Sequence, residues 1–159
     1  MGASQTLQEM ARLIRQGKRE QEIRNLAVKL TTQGFNERRG LLQKDYEGEA
    51  RRLLQFVRDE IRYVRDTNNV ELLHDPLTLL DVGAGDCDDK AILLASLLES
   101  IGNPTRLVAV AFEPEQFSHV WVQAFIHGRW IDLEATEPLP YGQSVPTRGV
   151  VETLVQPVT

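Results

Sequence analysis

Residues 85–112 read GDCDDKAILLASLLESIGNPTRLVAVAF, and the hydrophobic period changes within them. From Cys87 or Asp88 to about Ile101 the apolar residues Ala91, Leu94, Ala95, Leu98 and Ile101 recur at helical spacing, and Gly102 and Pro104 stop the pattern. Beyond Pro104 the period falls to two. TRLVAVAF, HVWVQAFI and RWIDLEA read as three strands, the first pair joined by the polar EPEQFS and the second by a short turn at His127 and Gly128. A helix followed by antiparallel strands predicts an α+β domain.

Upstream, residues 4–65 read as helical. Leu7, Met10, Leu13 and Ile14 form one stripe, and Ile23, Leu26, Ala27 and Leu30 form a second. Gly34 and Asn36 break the pattern near TTQGFN. A third helix is expected from about Asp45 to Val64, with the stripe Tyr46, Ala50, Leu53, Leu54, Val57 and Ile61. Residues 66–86, DTNNVELLHDPLTLLDVGAGD, read mostly as loop. The tail EPLPYGQSVPTRGVVETLVQP is rich in turn residues, with a last strand near Val150 to Val155. The organisation expected is a helical extension over residues 1–34 and one globular unit over 35–159, with no internal repeat.

The 159 residues suit one core, with 42% apolar and 26% charged side chains. A net charge of −5 without a basic run argues against nucleic acid. No apolar run reaches the ~18 residues of a membrane span, and MGASQTLQEM lacks the features of a secretion signal. MGASQT matches the outline of a myristoylation site, but an ordinary chain start is the preferred reading. The expected setting is the cytoplasm, or a virion if the gene is a phage's. The single cysteine excludes an internal disulfide and a Cys-rich zinc site, and no cofactor or metal is expected.

That cysteine, Cys87, stands where the helical pattern begins and off its apolar face. A lone cysteine is commonly a small buried hydrophobe. At a helix start, however, free N–H groups stabilise a thiolate and can receive an oxyanion. Asp86, Asp88 and Asp89 oppose thiolate formation, and their expected main role is capping. A thiol nucleophile needs a base. His74 falls in a loop and His127 in a turn, where solvated residues are the rule. His119 begins an otherwise apolar strand.

Alternation then places His119 among carboxylates. With a two-residue turn at His127 and Gly128, Ile126 faces Arg129 and Trp121 faces Glu134. His119, Trp121, Gln123 and Phe125 share a face with Trp130, Asp132, Glu134 and Thr136. His119 lies diagonal to Glu134, within reach, whereas Asp132 is a step further away. A bulge would change this register, so Asp132 is the reserve.

Three blocks resemble the transglutaminase-like family of papain-like thiol enzymes. GDCDDKAILLASLLESIG resembles its Gly-x-Cys block opening a long helix, and GNPTR its turn into the next strand. FSHVWVQAFIHGRWIDLEATEP is similar to His-x-Trp-Val followed by Trp-x-x-Leu-Asp-x-Thr. RDEIRYVRDTNNVELLHDPLTLL is similar to the lead-in of small bacterial and phage members. The resemblance, over about Ala50 to Pro138, implies a nucleophile helix packed on an antiparallel sheet, with Cys87 as nucleophile and His119 as general base. Glu134 occupies the place of the family's Asp, and either acid can orient an imidazole. The implied activity is hydrolysis of a peptide or amide bond, without cofactor. Crosslinking to an amine is the alternative outcome for an acyl-enzyme. The Cys87 backbone N–H is the natural oxyanion donor, and Tyr63 and Gln123 are candidates for the second.

Other readings compete. LLDVGAGD and AVAFEPE resemble the first motifs of an S-adenosylmethionine-dependent methyltransferase. Against it, Glu113 lies beyond the ~20-residue spacing of such pairs, and too few residues follow to complete a doubly wound sheet. Asp81, Asp86, Asp88 and Asp89 suggest calcium, but their spacing is not that of an EF-hand loop. An inactive binding or assembly module is the remaining alternative, with a protein partner on the N-terminal helices.

Overall fold

The computed structural model describes residues 2–32, 45–65 and 73–159. The expected break at Gly34 and Asn36, and the boundary between residues 34 and 35, lie outside them. Among the described residues the chain runs α1 (Ala3–Gly17), α2 (Gln21–Thr32), α3 (Tyr46–Glu60), β1 (Arg62–Tyr63), α4 (Pro76–Val82), β2 (Ala84–Gly85) and α5 (Cys87–Ser100). It continues as β3 (Thr105–Glu113), β4 (Gln116–Ile126), β5 (Arg129–Leu133) and β6 (Glu152–Pro157). The last four strands form one antiparallel sheet in the order β5-β4-β3-β6. This is the α+β architecture that the change of period predicts. A doubly wound parallel sheet, which the methyltransferase reading requires, is not what these strands build.

The core explains the layering. Helix α5 is apolar nearly all round, with Ile92, Leu93, Leu94, Leu97 and Leu98 fully buried, so it needs neighbours on every side. One sheet face supplies Leu107, Ala109, Val120, Val122 and Ala124. Helices α1, α2 and α3 supply Met10, Ile14, Ile23, Leu53 and Val57 to the same cluster. The N-terminal helices are thus part of the principal core, and Arg15 also donates to the Val158 carbonyl at 2.9 Å. The other sheet face carries a smaller cluster of Val108, Val110 and Trp121, closed by Val145 from the tail. No described helix is long and apolar enough to cross a membrane.

Several boundaries differ from the sequence reading. Helix α3 ends at Glu60, not Val64, because the next residues find partners elsewhere. Arg62 donates to the Gly83 carbonyl and Val64 to that of Gly85, both at 2.9 Å. Ile61 stays buried, but Tyr46, expected in the apolar stripe, is exposed. Residues 76–82 form α4 where loop was expected. Asp75 caps it through the Thr78 N–H, Pro76 occupies the first turn, and Gly83 ends it at φ 73°. These are ordinary helix signals, hidden by a helix of only two turns. The segment LLD of the methyltransferase-like motif therefore lies in a helix and not in a strand. The last strand spans Glu152–Pro157, two residues beyond its expected position, because it pairs with β3 from Glu152 against Ala111 to Pro157 against Arg106.

Candidate active site

Cys87 is the first residue of α5. Asp86 is its N-cap and accepts from the Asp89 N–H at 3.1 Å, while the Asp86 N–H donates back to the Asp89 carboxylate at 3.2 Å. The capping role expected of these aspartates is theirs. Gly85 precedes them because a Cβ there would lie 2.7 Å from Leu79 Cδ1 and 2.8 Å from Asp89 Cβ.

His119 is not at the start of its strand. Strand β4 begins at Gln116, and the pairing slips between Val110–His119 and Ala111–Phe117, leaving Ser118 as an extra residue beside the imidazole. Such a bulge re-aims the side chains next to it. In the following hairpin Ile126 faces Arg129 and Val122 faces Leu133, the register that the two-residue turn predicts. His127, exposed in that turn, adopts φ 52°.

The register brings His119 to Glu134. Its Nε2 meets the Glu134 carboxylate, whose other oxygen accepts the Thr136 N–H at 2.9 Å and the Glu137 N–H at 3.5 Å. A carboxylate with only 1% of its side chain exposed is thereby fully engaged. With Nε2 bound, Nδ1 is the ring nitrogen left for a thiol. Asp132, the reserve acid, does not reach the ring. It accepts from Trp121 Nε1 at 2.9 Å, Gln123 Nε2 at 2.7 Å and the Val145 N–H at 3.0 Å.

Cys87 and His119 line one cavity of about 560 Å³. Tyr63, Asp86 and Asp88 share its wall, and Phe117 and Val120 come from the bulged strand. Helix α1 also lines the cavity, through Ala3, Thr6, Leu7 and Met10, with its N-cap Gly2. Tyr63 is therefore at the cavity, whereas Gln123 is tied to Asp132 and to Arg106 Nε, at 2.7 Å. The contribution of α1 was missed in the sequence, where its stripe shows burial but not against what.

Electrostatics sharpen the picture of the thiol. Burial pushes the Cys87 thiol up, with Asp88 and Asp86 adding to it, and the Val120 backbone N–H aimed at the sulfur offsets only part. Of the two opposing local effects, the carboxylates and burial win over the helix start. The Cys87 S–H points to Asp88 Oδ1 at 3.6 Å. His119 is raised as well, but for a different reason: burial disfavours its charged ring, while the bond to Glu134 and its charge outweigh that and hold it above its ordinary value. Burial beside Asp89 pushes Asp86 up to about 7.

A second imidazole has a similar partner. His74 Nδ1 lies 3.0 Å from Asp89 Oδ2, and the His74 backbone N–H donates to Oδ1 at 2.9 Å. The solvated loop histidine of the sequence reading is in fact anchored to the cap of α5.

The sequence pattern of the transglutaminase-like superfamily matches residues 35–135, most of the chain and all of Cys87, His119 and Glu134. The chain belongs to that superfamily. Among solved structures, a “Putative Cysteine Protease” from Cytophaga hutchinsonii aligns with a TM-score of 0.55 at 20% identity, over 84% of this chain and 45% of its own. A “putative protease” from Parabacteroides distasonis aligns at 0.63 and 16%, over 94% and 28%. A structure described as a TGase aligns at 0.52 and 13%, over 87% and 34%. This transglutaminase-like chain spans less than half the length of each of them, and at these identities they share its fold. No curated protein matches it.

Proposed function

We propose that the chain is a thiol-dependent acyl-transfer enzyme that hydrolyses a peptide or amide bond. Cys87 attacks the carbonyl carbon, and His119 Nδ1 takes the thiol proton and returns it to the departing amine. Glu134 holds the imidazole in the tautomer protonated at Nε2. Water, activated by the same imidazole, then releases the acyl group.

One observation carries the reading. His119 lines the same cavity as the thiol, and its Nε2 is bound to a buried carboxylate fixed by two backbone N–H groups, which leaves Nδ1 as its second nitrogen. Burial and Asp88 favour the protonated thiol, so Cys87 rests as a neutral thiol. The imidazole then acts as a base during attack, not as the standing partner of a thiolate. The Cys87 backbone N–H, in the first turn of α5 without an intrahelical acceptor, serves the oxyanion. Tyr63 is the candidate for the second donor.

The test is incubation of the purified chain with a pool of unmodified peptides, with and without a primary amine such as cadaverine. Mass spectrometry reads the products, with Cys87→Ala as comparator. Cleaved peptides that appear only with Cys87 support hydrolysis, and cadaverine adducts would shift the reading to crosslinking. If the native protein gives neither product, and an electrophilic peptide leaves Cys87 unmodified, the chain is a binding module.

A further inference from the structure

Asp132 stands two residues before Glu134 on the same face, yet it holds no histidine. What it holds is an indole. Trp121 Nε1 donates to Asp132 Oδ1 at 2.9 Å, and the Trp121 ring stacks on the His119 ring with centroids 5.8 Å apart and planes at 30°. Residues two apart on a strand stand side by side on one face, so this contact follows from the spacing His-x-Trp.

The support continues outward. Gln123 Nε2 donates to the same Asp132 oxygen at 2.7 Å, and Gln123 Oε1 accepts from Arg106 Nε at 2.7 Å on the next strand, where Arg106 and Gln123 are paired directly. The Arg106 guanidinium lies over the Trp130 ring at 4.2 Å. The second Asp132 oxygen accepts the Val145 N–H at 3.0 Å, and the Asp132 carbonyl accepts the Gly142 N–H at 3.2 Å. The tail is thereby pinned over Trp121, which is only 4% exposed.

From this arrangement we infer that Trp121 is a positioning residue for His119, and that Asp132 with the Val145 backbone sets the plane of the indole. A histidine bound only at Nε2 can still tilt off that bond, which loosens the hold of Glu134 on the tautomer. A fixed aromatic face on one side removes that freedom and keeps Nδ1 in one orientation within the cavity that the ring shares with the thiol. Misplacement of a reacting group by about 1 Å is enough to lose ~100-fold in rate, so control of the ring plane has a catalytic consequence. The inference rests on the proposed role of His119, but its test does not depend on turnover.

The measurement is the 15N chemical shifts of the His119 ring above its titration range, in a Cys87→Ala background. The unsubstituted ring should show one tautomer, protonated at Nε2. Trp121→Leu should average the two nitrogens towards a mixture, and Trp121→Phe, which keeps an aromatic face, should retain most of the single tautomer. In chains that keep Cys87, labelling of the thiol by a peptidyl vinyl sulfone should slow ~10-fold or more in Trp121→Leu and within about threefold in Trp121→Phe. Should Trp121→Leu fail to fold, Asp132→Asn carries the test. Its amide sets an N–H against the Val145 N–H and releases the tail, and the tautomer shifts should move in the same direction. A folded Trp121→Leu or Asp132→Asn with unchanged His119 shifts overturns the inference. An inert Cys87 in the native chain would instead sink the acyl-transfer reading and leave the shifts to decide this one.

Discussion

Among the described residues two imidazoles are bound to buried carboxylates, and they differ in how they are held and in what they meet. His74 meets Asp89 with Nδ1 and also with its own backbone N–H, and its side chain is 35% exposed. His119 meets Glu134 with Nε2 alone and is 19% exposed. Both rings are held above their ordinary value. For His74 the bond to Asp89 leads, and for His119 that to Glu134 overcomes burial. A histidine–carboxylate pair is therefore no signature of catalysis by itself. What separates the two is which nitrogen remains and what it meets: the His119 ring opens on the cavity of Cys87, whereas Asp89 belongs to the capping box of α5, and His74 fastens that cap to the start of α4.

The largest effects should fall on one side of this comparison. Cys87→Ala should abolish covalent labelling by a peptidyl vinyl sulfone, and His119→Ala should slow it ~100-fold or more, while His74→Ala changes it by less than about threefold. Equal losses in the two histidine variants, read by intact mass against time, would erase the distinction. Glu134→Gln comes next. The amide can present an N–H to Nε2 and favours the wrong tautomer, so labelling should slow ~100-fold with the fold retained.

On the other side the expected effect is on stability. Asp89→Ala removes the reciprocal cap and leaves His74 without its acceptor, which costs about 1–3 kcal/mol. Urea unfolding measures this, and a midpoint unchanged from the native chain would contradict the structural role of that pair. The smallest effect is on pH dependence. His74 and His119 are raised in the folded state, so their contribution is fully present below the unfolded value near ~6.5 and is lost as pH rises through the folded values. Asp86, pushed up to about 7, acts in the same sense, because the folded state again binds more protons. Thermal melts between pH 5.5 and 8.5 should show a falling midpoint. The slope should shrink in the His74→Gln/His119→Gln double variant, and a rising midpoint would reverse the sign.

Much of this was legible because it depends on period. The change from helical to alternating spacing at Pro104 placed α5 and the sheet, and counting through the turn at His127 paired His119 with Glu134 ahead of Asp132. What stayed hidden depends on contacts distant in sequence. The two residues of β1 break from α3 only because β2 offers them backbone partners. The bulge at Ser118 is visible only when β3 lies alongside. Asp132 looked like a spare acid because nothing in the spacing shows that Trp121 and the Val145 N–H claim it. The balance at Cys87 could not be settled locally either, since burial, the first cause of its raised thiol, is a property of the packed chain.

The wall that α1 lends to the cavity bears on how members of this superfamily are cut and compared. The family pattern begins at residue 35, so a chain trimmed to that boundary would keep Cys87, His119 and Glu134 while losing Thr6, Leu7 and Met10 from the cavity lining. It would also uncover the flank of α5 on which Met10 and Ile14 are packed. The family pattern marks what the chain shares with its superfamily, while the cavity beside Cys87 is walled partly by residues outside that pattern.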